Sequence, residues 1–334
     1  MDRIAVIGAG AWGTALGKVL ADKGYPVRLW ARHEAQAAAI AEARENTRYL
    51  PGVPLPASLT PTASLEEALR GADLVVLVVP SHALRETVAA AAPHLAPGAV
   101  LVNATKGIEN DTLMIMAEVV ADVLGPGTDQ RFTVLTGPSF AREVAAQVPT
   151  NIVVASSNAA LAVDVQRVFA TDWLRVYSSD DPIGVEVGGA LKNVIAIAAG
   201  ACDGLGFGHN TRAALVTRGL AEVVRIAIAK GGNVLSIAGL AGLGDLVLTC
   251  TGDLSRNRTV GFELGRGKKL EEVLASLGHV AEGVKTAKSV HDLARRLDVD
   301  LPICNEVYRV LYEGKSPQRA VEDVLTRPLK REWS

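Results

Sequence analysis

Lys192 is the residue most in need of a chemical explanation. It interrupts the most apolar stretch of the chain, residues 187–202, where a lysine must find partners or change its pKa. An ammonium tuned in this way can exchange a proton near neutral pH, as a general acid or base does. The alternative is a lysine that snorkels its charge out to water. A second cation, Lys106, sits in the polar island Asn103-Ala104-Thr105-Lys106-Gly107 and taken singly reads as a surface lysine. That island follows a strand-like run, as does Gly137-Pro138-Ser139-Phe140-Ala141. Ligands of open α/β sheets bind at the carboxyl ends of strands, so Lys106 and the backbone around Gly137 and Ser139 are expected to face one crevice. Gly188-Gly189-Ala190-Leu191-Lys192-Asn193 is a third glycine-rich island.

Gly8-Ala9-Gly10-Ala11-Trp12-Gly13 follows the first strand-like run and opens a helical pattern. That context turns a weak glycine pattern into a dinucleotide-binding fingerprint. Gly8 permits the tight turn, Gly10 lets backbone approach a pyrophosphate, and Gly13 lets helix and sheet pack closely, leaving N-terminal amides for the anion. About 20 residues on, where an acidic residue usually grips the ribose hydroxyls, the chain reads Arg32-His33. An arginine there favours a 2′-phosphate, hence NADP or dual use over strict NAD, unless it is a solvated strand end. Gly242-Leu243-Gly244-Asp245-Leu246 and Thr251-Gly252-Asp253-Leu254-Ser255-Arg256-Asn257-Arg258 read as one loop-like region. Its Ser/Arg/Asn cluster could clamp a phosphate or be a plain interhelical loop.

The elements that must hold these residues follow from periodicity. Short Val/Ile/Leu runs alternate with helical patterns as far as residue 179, the signature of a mostly parallel sheet covered by helices on both faces. Strands are expected near 3–7, 27–30, 74–79, 100–103 and 133–136, with 152–155 and 174–177 extending the same sheet. Helices are expected over 12–22, 34–44, 81–91, 112–124 and 159–169, the fourth capped by Asp111. The Pro-rich stretch 51–61 reads as a loop. After Asp180-Asp181-Pro182, an acidic cap before a first-turn proline, strand-like runs nearly vanish and helices resume over 211–230, 270–277, 284–297 and 302–312. The fold class is therefore α/β: a Rossmann-type, doubly wound, mostly parallel sheet in residues 1–180, followed by an all-helical domain in residues 181–334.

Composition excludes several classes. With 34 basic against 36 acidic residues, the net charge of −2 offers no global attraction to nucleic acid or anionic membrane. The 49% hydrophobic content argues against disorder. Cys202, Cys250 and Cys304 form no CxxC pair, which fits neither zinc nor disulfides, and a reducing cytoplasm is expected. The start Met1-Asp2-Arg3-Ile4-Ala5-Val6 lacks a signal-peptide pattern, and the 187–202 run reads as a buried helix rather than a membrane span.

Several long motifs stand in a fixed order: GAGAWGTA at the start, VVPSH at 78–82, ATKG around Lys106, GPSFA from Gly137, GGALKNVIAI from Gly188, GLGDLVLTC from Gly242 and SRNR from Ser255. Together they resemble, over nearly the whole chain, the bacterial NAD(P)-dependent glycerol-3-phosphate dehydrogenases of the 6-phosphogluconate-dehydrogenase-like superfamily. The resemblance implies reversible reduction of dihydroxyacetone phosphate to sn-glycerol 3-phosphate, feeding phospholipid synthesis, with NADP or NAD as cofactor and no metal. It implies that Trp12, Arg32, His33, Lys106, Ala141, Arg256, Val280 and Glu282 contact the cofactor. It likewise places Lys106, Gly137, Ser139, Lys192, Asp245, Ser255, Arg256 and Asn257 around the substrate, with Lys192 as proton donor or acceptor. Where members often carry Ser, this chain has Ala11, which loses a side-chain contact and keeps a backbone N–H. Partners implied are the small-molecule substrate and a second copy in a homodimer, with no nucleic acid and no membrane insertion. Two other readings stay open: another hydroxyacid dehydrogenase such as a ketopantoate reductase, and an NAD(P)-sensing protein without turnover. The phosphate-clamping cluster counts against the first and Lys192 against the second.

Overall fold

Eight short strands carry the amino-terminal half of the computed structural model, which describes residues 1–277, 281–329 and 331–332. They are β1 (Ile4–Ile7), β2 (Val27–Trp30), β3 (Leu59–Thr62), β4 (Leu74–Leu77), β5 (Val100–Asn103), β6 (Phe132–Thr136), β7 (Thr150–Ala155) and β8 (Leu174–Ser179). The sheet order is β3-β2-β1-β4-β5-β6-β7-β8, and every neighbour pair is parallel except β6–β7. β1, β4 and β5 are buried along their whole length because helices cover both faces. The strand order reverses between β1 and β4, so the crevice beyond their carboxyl ends is where such a sheet takes a ligand.

β3 begins within the last three residues of the stretch read as a loop and corrects that reading there. Pro61 hid it. Proline lacks the N–H of an interior strand but is tolerated at an edge, and β3 is the edge strand. The helix expected over 112–124 begins only at Met116, and Asp111 does not cap it. Its N-cap is Ile115, whose N–H donates to Glu118 Oε2 at 2.9 Å.

Beyond β8 the described residues form helices only. Asp181 caps the central helix, Pro182–Gly204, by accepting from the N–H of Gly184 at 2.8 Å. By length and composition this helix could cross a membrane, yet 89% of its most apolar window is buried inside the protein.

The region read as one loop from Gly242 to Arg258 is instead a π-type turn (Leu240–Gly244), a helix (Asp245–Thr251) and, after a short link, the helix Arg256–Gly265. Glycines in and beside this region serve packing, and a Cβ on Gly242 would lie 2.1 Å from the carbonyl oxygen of Ile237. A Cβ on Gly261 would lie 1.9 Å from the carbonyl oxygen of Ile197, and one on Gly200 would lie 1.9 Å from that of Arg258. The two helix backbones therefore meet without intervening side chains.

Candidate active site

Lys192 lies midway along the central helix and is 7% exposed. The helix reaches this depth because its preceding glycines leave room. A Cβ on Gly188 would stand 2.8 Å from the carbonyl oxygen of Ala241, and one on Gly189 would stand 3.1 Å from Thr136 Oγ1. Lys192 Nζ donates to Asp245 Oδ1 at 2.5 Å and to Thr249 Oγ1 at 2.9 Å. On the other side of that carboxylate, Lys106 Nζ donates to Asp245 Oδ2 at 2.7 Å. Asp245 is 1% exposed, so one buried carboxylate is held between two ammonium groups that come from different halves of the chain.

Burial pushes the Lys192 ammonium down to about 8; the Asp245 carboxylate opposes that fall, and the charge of Lys106 adds to it. Burial acts on Asp245 in the raising direction, but Lys106 and Lys192 outweigh it and hold the carboxyl below its ordinary value. Glu282, the first residue of the helix Glu282–Leu297, is pushed up to about 7 by burial, against the pull of Arg256, Lys106 and Lys192. Five candidates from distant parts of the sequence thus share one electrostatic environment.

Ser255 Oγ accepts from the N–H of Arg258 at 3.2 Å, which makes Ser255 the N-cap of the Arg256–Gly265 helix. The first N–H groups of such a helix have no intrahelical partner and suit an anion. Arg256 is exposed at this helix start, while Asn257 is buried. Asn257 Nδ2 donates to Asn193 Oδ1 at 3.0 Å, and its Oδ1 accepts from the N–H of Gly283 at 3.0 Å. It therefore ties the central helix to the start of the Glu282–Leu297 helix. Arg258 is committed elsewhere, to Asp203 at 2.9 Å and Asp253 at 3.2 Å.

On the sheet side, Gly8 has φ +129°, and a Cβ there would stand 2.5 Å from the carbonyl oxygen of Val78. A Cβ on Gly13 would lie 1.9 Å from the carbonyl oxygen of Gly8, but one on Gly10 would meet nothing within 4 Å. Gly8 and Gly13 are thus required by the chain itself, whereas no packing in the chain requires Gly10, and the space beside it is open to a ligand. Trp12 adds a buried indole N–H with no hydrogen-bond partner among the described residues. Both observations fit a dinucleotide on this turn. Ala11 is the first residue of the helix Ala11–Asp22 and offers its backbone N–H there.

Arg32 and His33 are exposed beyond the carboxyl end of β2. Gly137, at φ +142°, takes the Ser139 hydroxyl onto its carbonyl oxygen at 2.9 Å. Ala141 opens the helix Ala141–Ala145 just beyond them. Val280 lies outside the described residues.

Sequence reasoning missed several participants. Thr249 and Asn193 were within quoted motifs but carried no assigned role, and nothing in their spacing distinguishes them. Asn46, buried, donates to the carbonyl oxygen of Ala9 at 3.0 Å and to Thr14 Oγ1 at 2.7 Å, fixing the glycine turn from a distance that sequence does not reveal.

A glycine turn shaped for a nucleotide at the carboxyl end of β1 and a buried lysine of lowered pKa on the central helix fit one class, a nicotinamide-dependent dehydrogenase. Known proteins narrow it. Residues 3–162 match the family model described as NAD-dependent glycerol-3-phosphate dehydrogenase N-terminus, and residues 181–322 match its C-terminal counterpart. The chain belongs to this family, whose members are NAD(P)-dependent oxidoreductases acting on a CH–OH group. It is 56% identical over 331 residues to a glycerol-3-phosphate dehydrogenase [NAD(P)+] from Geobacter sulfurreducens, covering 99% of both chains. It is 53% identical over 329 residues to one from Syntrophobacter fumaroxidans, covering 98% of this chain and 97% of the other. The crystal structure of glycerol-3-phosphate dehydrogenase from Coxiella burnetii superposes with a TM-score of 0.94 at 41% identity, covering 98% of this chain and 99% of that one. The family match decides against the ketopantoate reductase and cofactor-sensor readings.

Proposed function

We propose that this chain reversibly reduces dihydroxyacetone phosphate to sn-glycerol 3-phosphate with Lys192 as the general acid, and that the product supplies phospholipid synthesis in the cytoplasm. The observation that carries the reading is the buried Lys192–Asp245–Lys106 cluster, with contacts of 2.5 Å and 2.7 Å. The nicotinamide, when bound, supplies hydride for the C2 carbonyl. Lys192, poised near 8, gives its proton to the oxygen on which negative charge develops and takes it back in the oxidising direction. Asp245 and Thr249 aim that ammonium, and Lys106 adds positive charge beside the same oxygen.

Ser255, Arg256 and Asn257 hold the substrate phosphate at a helix start, with Gly137 and Ser139 closing the sheet side. Gly8, Gly10, Ala11, Trp12 and Gly13 cradle the pyrophosphate, while Arg32 and His33 take the adenosine ribose end. Ala141, Arg256, Glu282 and Val280 complete the cofactor wall together with Lys106. In this reading residues 1–180 bind the nucleotide and residues 181–334 hold the substrate. The chain works without inserting into a membrane and pairs as a homodimer, for which exposed Leu235, Leu243 and Val247 on adjoining helical segments offer apolar surface.

A spectrophotometric assay with dihydroxyacetone phosphate and NADH or NADPH tests the reading across pH. A protonated Lys192 is the active form for reduction, so that direction should decline as pH rises through about 8 while oxidation gains. No turnover with either cofactor, or a flat profile, would refute it.

A further inference from the structure

Glu186 is a buried carboxylate, 7% exposed, on the central helix six positions before Lys192. At a rise of 1.5 Å per residue, the two lie about 9 Å apart along one rigid element. Its two oxygens accept from two different elements: Oε1 from Asn103 Nδ2 at 2.8 Å, and Oε2 from the N–H of Ala117 at 3.0 Å. The Ala117 N–H belongs to the first turn of the helix Met116–Leu124, so the carboxylate also meets the positive end of that helix. Asn103 ends β5, and its side chain folds back on the loop that follows. Nδ2 also reaches the carbonyl oxygen of Thr105 at 3.1 Å, and Oδ1 accepts from the N–H of Thr105 at 3.2 Å. Thr105 Oγ1 in turn donates to the carbonyl oxygen of Val79 at 3.0 Å. Lys106 is the next residue.

Taking the active-site reading above as given, we propose that Glu186 is a positioning residue: through Asn103 it fixes the loop that carries Lys106, and so sets where Lys106 stands against Asp245 and Lys192. One helix then holds both cations of the site, Lys192 directly and Lys106 by way of its loop. A carboxylate suits the task because it accepts two N–H donors at once, whereas an amide accepts with one atom and presents a donor with the other. The neighbouring charges Glu118 and Lys230 pair with each other at 2.5 Å, which leaves Glu186 to Asn103 and Ala117.

The consequence reaches Lys192 by charge. Lys192 is faced by Asp245 and Cys250 from the Asp245–Thr251 helix, by Lys106 from the loop after β5, and by Glu282 from the start of its helix. Displacing Lys106 removes a charge that lowers the Lys192 pKa and frees Asp245 to raise it. Both changes move the titration of Lys192 upward.

The test compares Glu186→Ala, Glu186→Gln and Asn103→Ala with Lys106→Ala, by steady-state reduction of dihydroxyacetone phosphate across pH, NADPH binding by fluorescence, and melting. Glu186→Ala and Asn103→Ala should lower kcat/KM by about tenfold or more, less than Lys106→Ala. In each of these three the Lys192 limb should move to higher pH. Glu186→Gln should fall between wild type and Glu186→Ala. If Glu186→Ala fails to fold, Asn103→Ala and Glu186→Gln carry the same expectation. Unchanged kcat/KM and an unmoved limb in the Glu186 and Asn103 variants, beside an impaired Lys106→Ala, would leave Glu186 a structural staple and overturn the proposal. An unimpaired Lys106→Ala would instead overturn the active-site reading, and this inference with it.

Discussion

The two walls of the cleft are built from opposite materials. On the sheet side, Gly8, Gly10 and Gly13 expose backbone at the end of β1, and no charged side chain is buried in the turn. Against the helical side, Asp245 and Lys192, joined by Lys106 reaching over from the loop after β5, keep three charges largely out of water. A pyrophosphate is met by N–H dipoles that exist in any helix start, so the sheet wall needs only the right shape. A proton must be held on a group whose pKa is moved, so the helical wall needs desolvated charge and partners to tolerate it. Substitutions that alter shape and those that alter charge should therefore fail differently.

The sharpest break is Lys192→Ala, expected to lose at least about a hundredfold in kcat while still binding NADPH. Melting should fall only modestly, because Asp245 keeps Lys106 at 2.7 Å as a partner. A much lower melting temperature with near-normal turnover would make Lys192 a structural lysine. Next in size is Arg256→Ala, where losing charge-assisted bonds of roughly 1.5–3 kcal/mol should raise KM for dihydroxyacetone phosphate about ten- to a hundredfold. Unchanged substrate kinetics would return that helix start to plain packing.

Arg32→Asp should weaken NADPH by about tenfold or more and NADH far less, since a carboxylate repels a 2′-phosphate and can bond ribose hydroxyls. Equal losses in fluorescence titrations of the two cofactors would remove Arg32 from the site. The smallest effects sharpen the sheet wall itself. Gly10→Ala, whose Cβ would meet nothing within 4 Å, should melt like wild type but bind NAD(P)H weakly. Gly13→Ala drives a Cβ to 1.9 Å from the carbonyl oxygen of Gly8; overpacking of about 1–3 kcal/mol should lower Tm by roughly 2–6 °C. If the two variants behaved alike, Gly10 would have no ligand to serve.

Legibility in the sequence follows the same division. Strands β2 and β5 and the helices Ala159–Phe169, Leu270–Leu277 and Pro302–Tyr312 stand where periodicity puts them, because continuous apolar runs and helical stripes are local signals. The glycine turn was legible because its motif is contiguous. The helical segments between Leu240 and Gly265 were not, since glycine reads as a loop signal whether it turns the chain or lets elements pack closely, and only the spatial neighbour, such as the Ile237 carbonyl oxygen at Gly242 or the Ile197 carbonyl oxygen at Gly261, distinguishes the two. The antiparallel entry of β7 was equally hidden, because a buried strand has the same pattern in either direction. Lys192 was found from its misfit with its neighbours. The anchoring of Lys106 through Asn103 and Glu186, 83 residues apart in sequence, had no local trace.

Pro61 has one more effect. Along β3 the even-numbered residues face β2, as the bonds from the N–H of Val27 to the carbonyl oxygen of Ser58 and from Ala31 to Thr62 require. Leu59 and Pro61 therefore point outward. The Leu59 N–H is spent on the carbonyl oxygen of Pro56 at 3.0 Å, its own carbonyl oxygen accepts from Arg44 Nη1 at 3.1 Å, and Pro61 has no N–H to give. An incoming strand would find no donor along this border, so the residue that disguised β3 also closes the sheet against templated aggregation there.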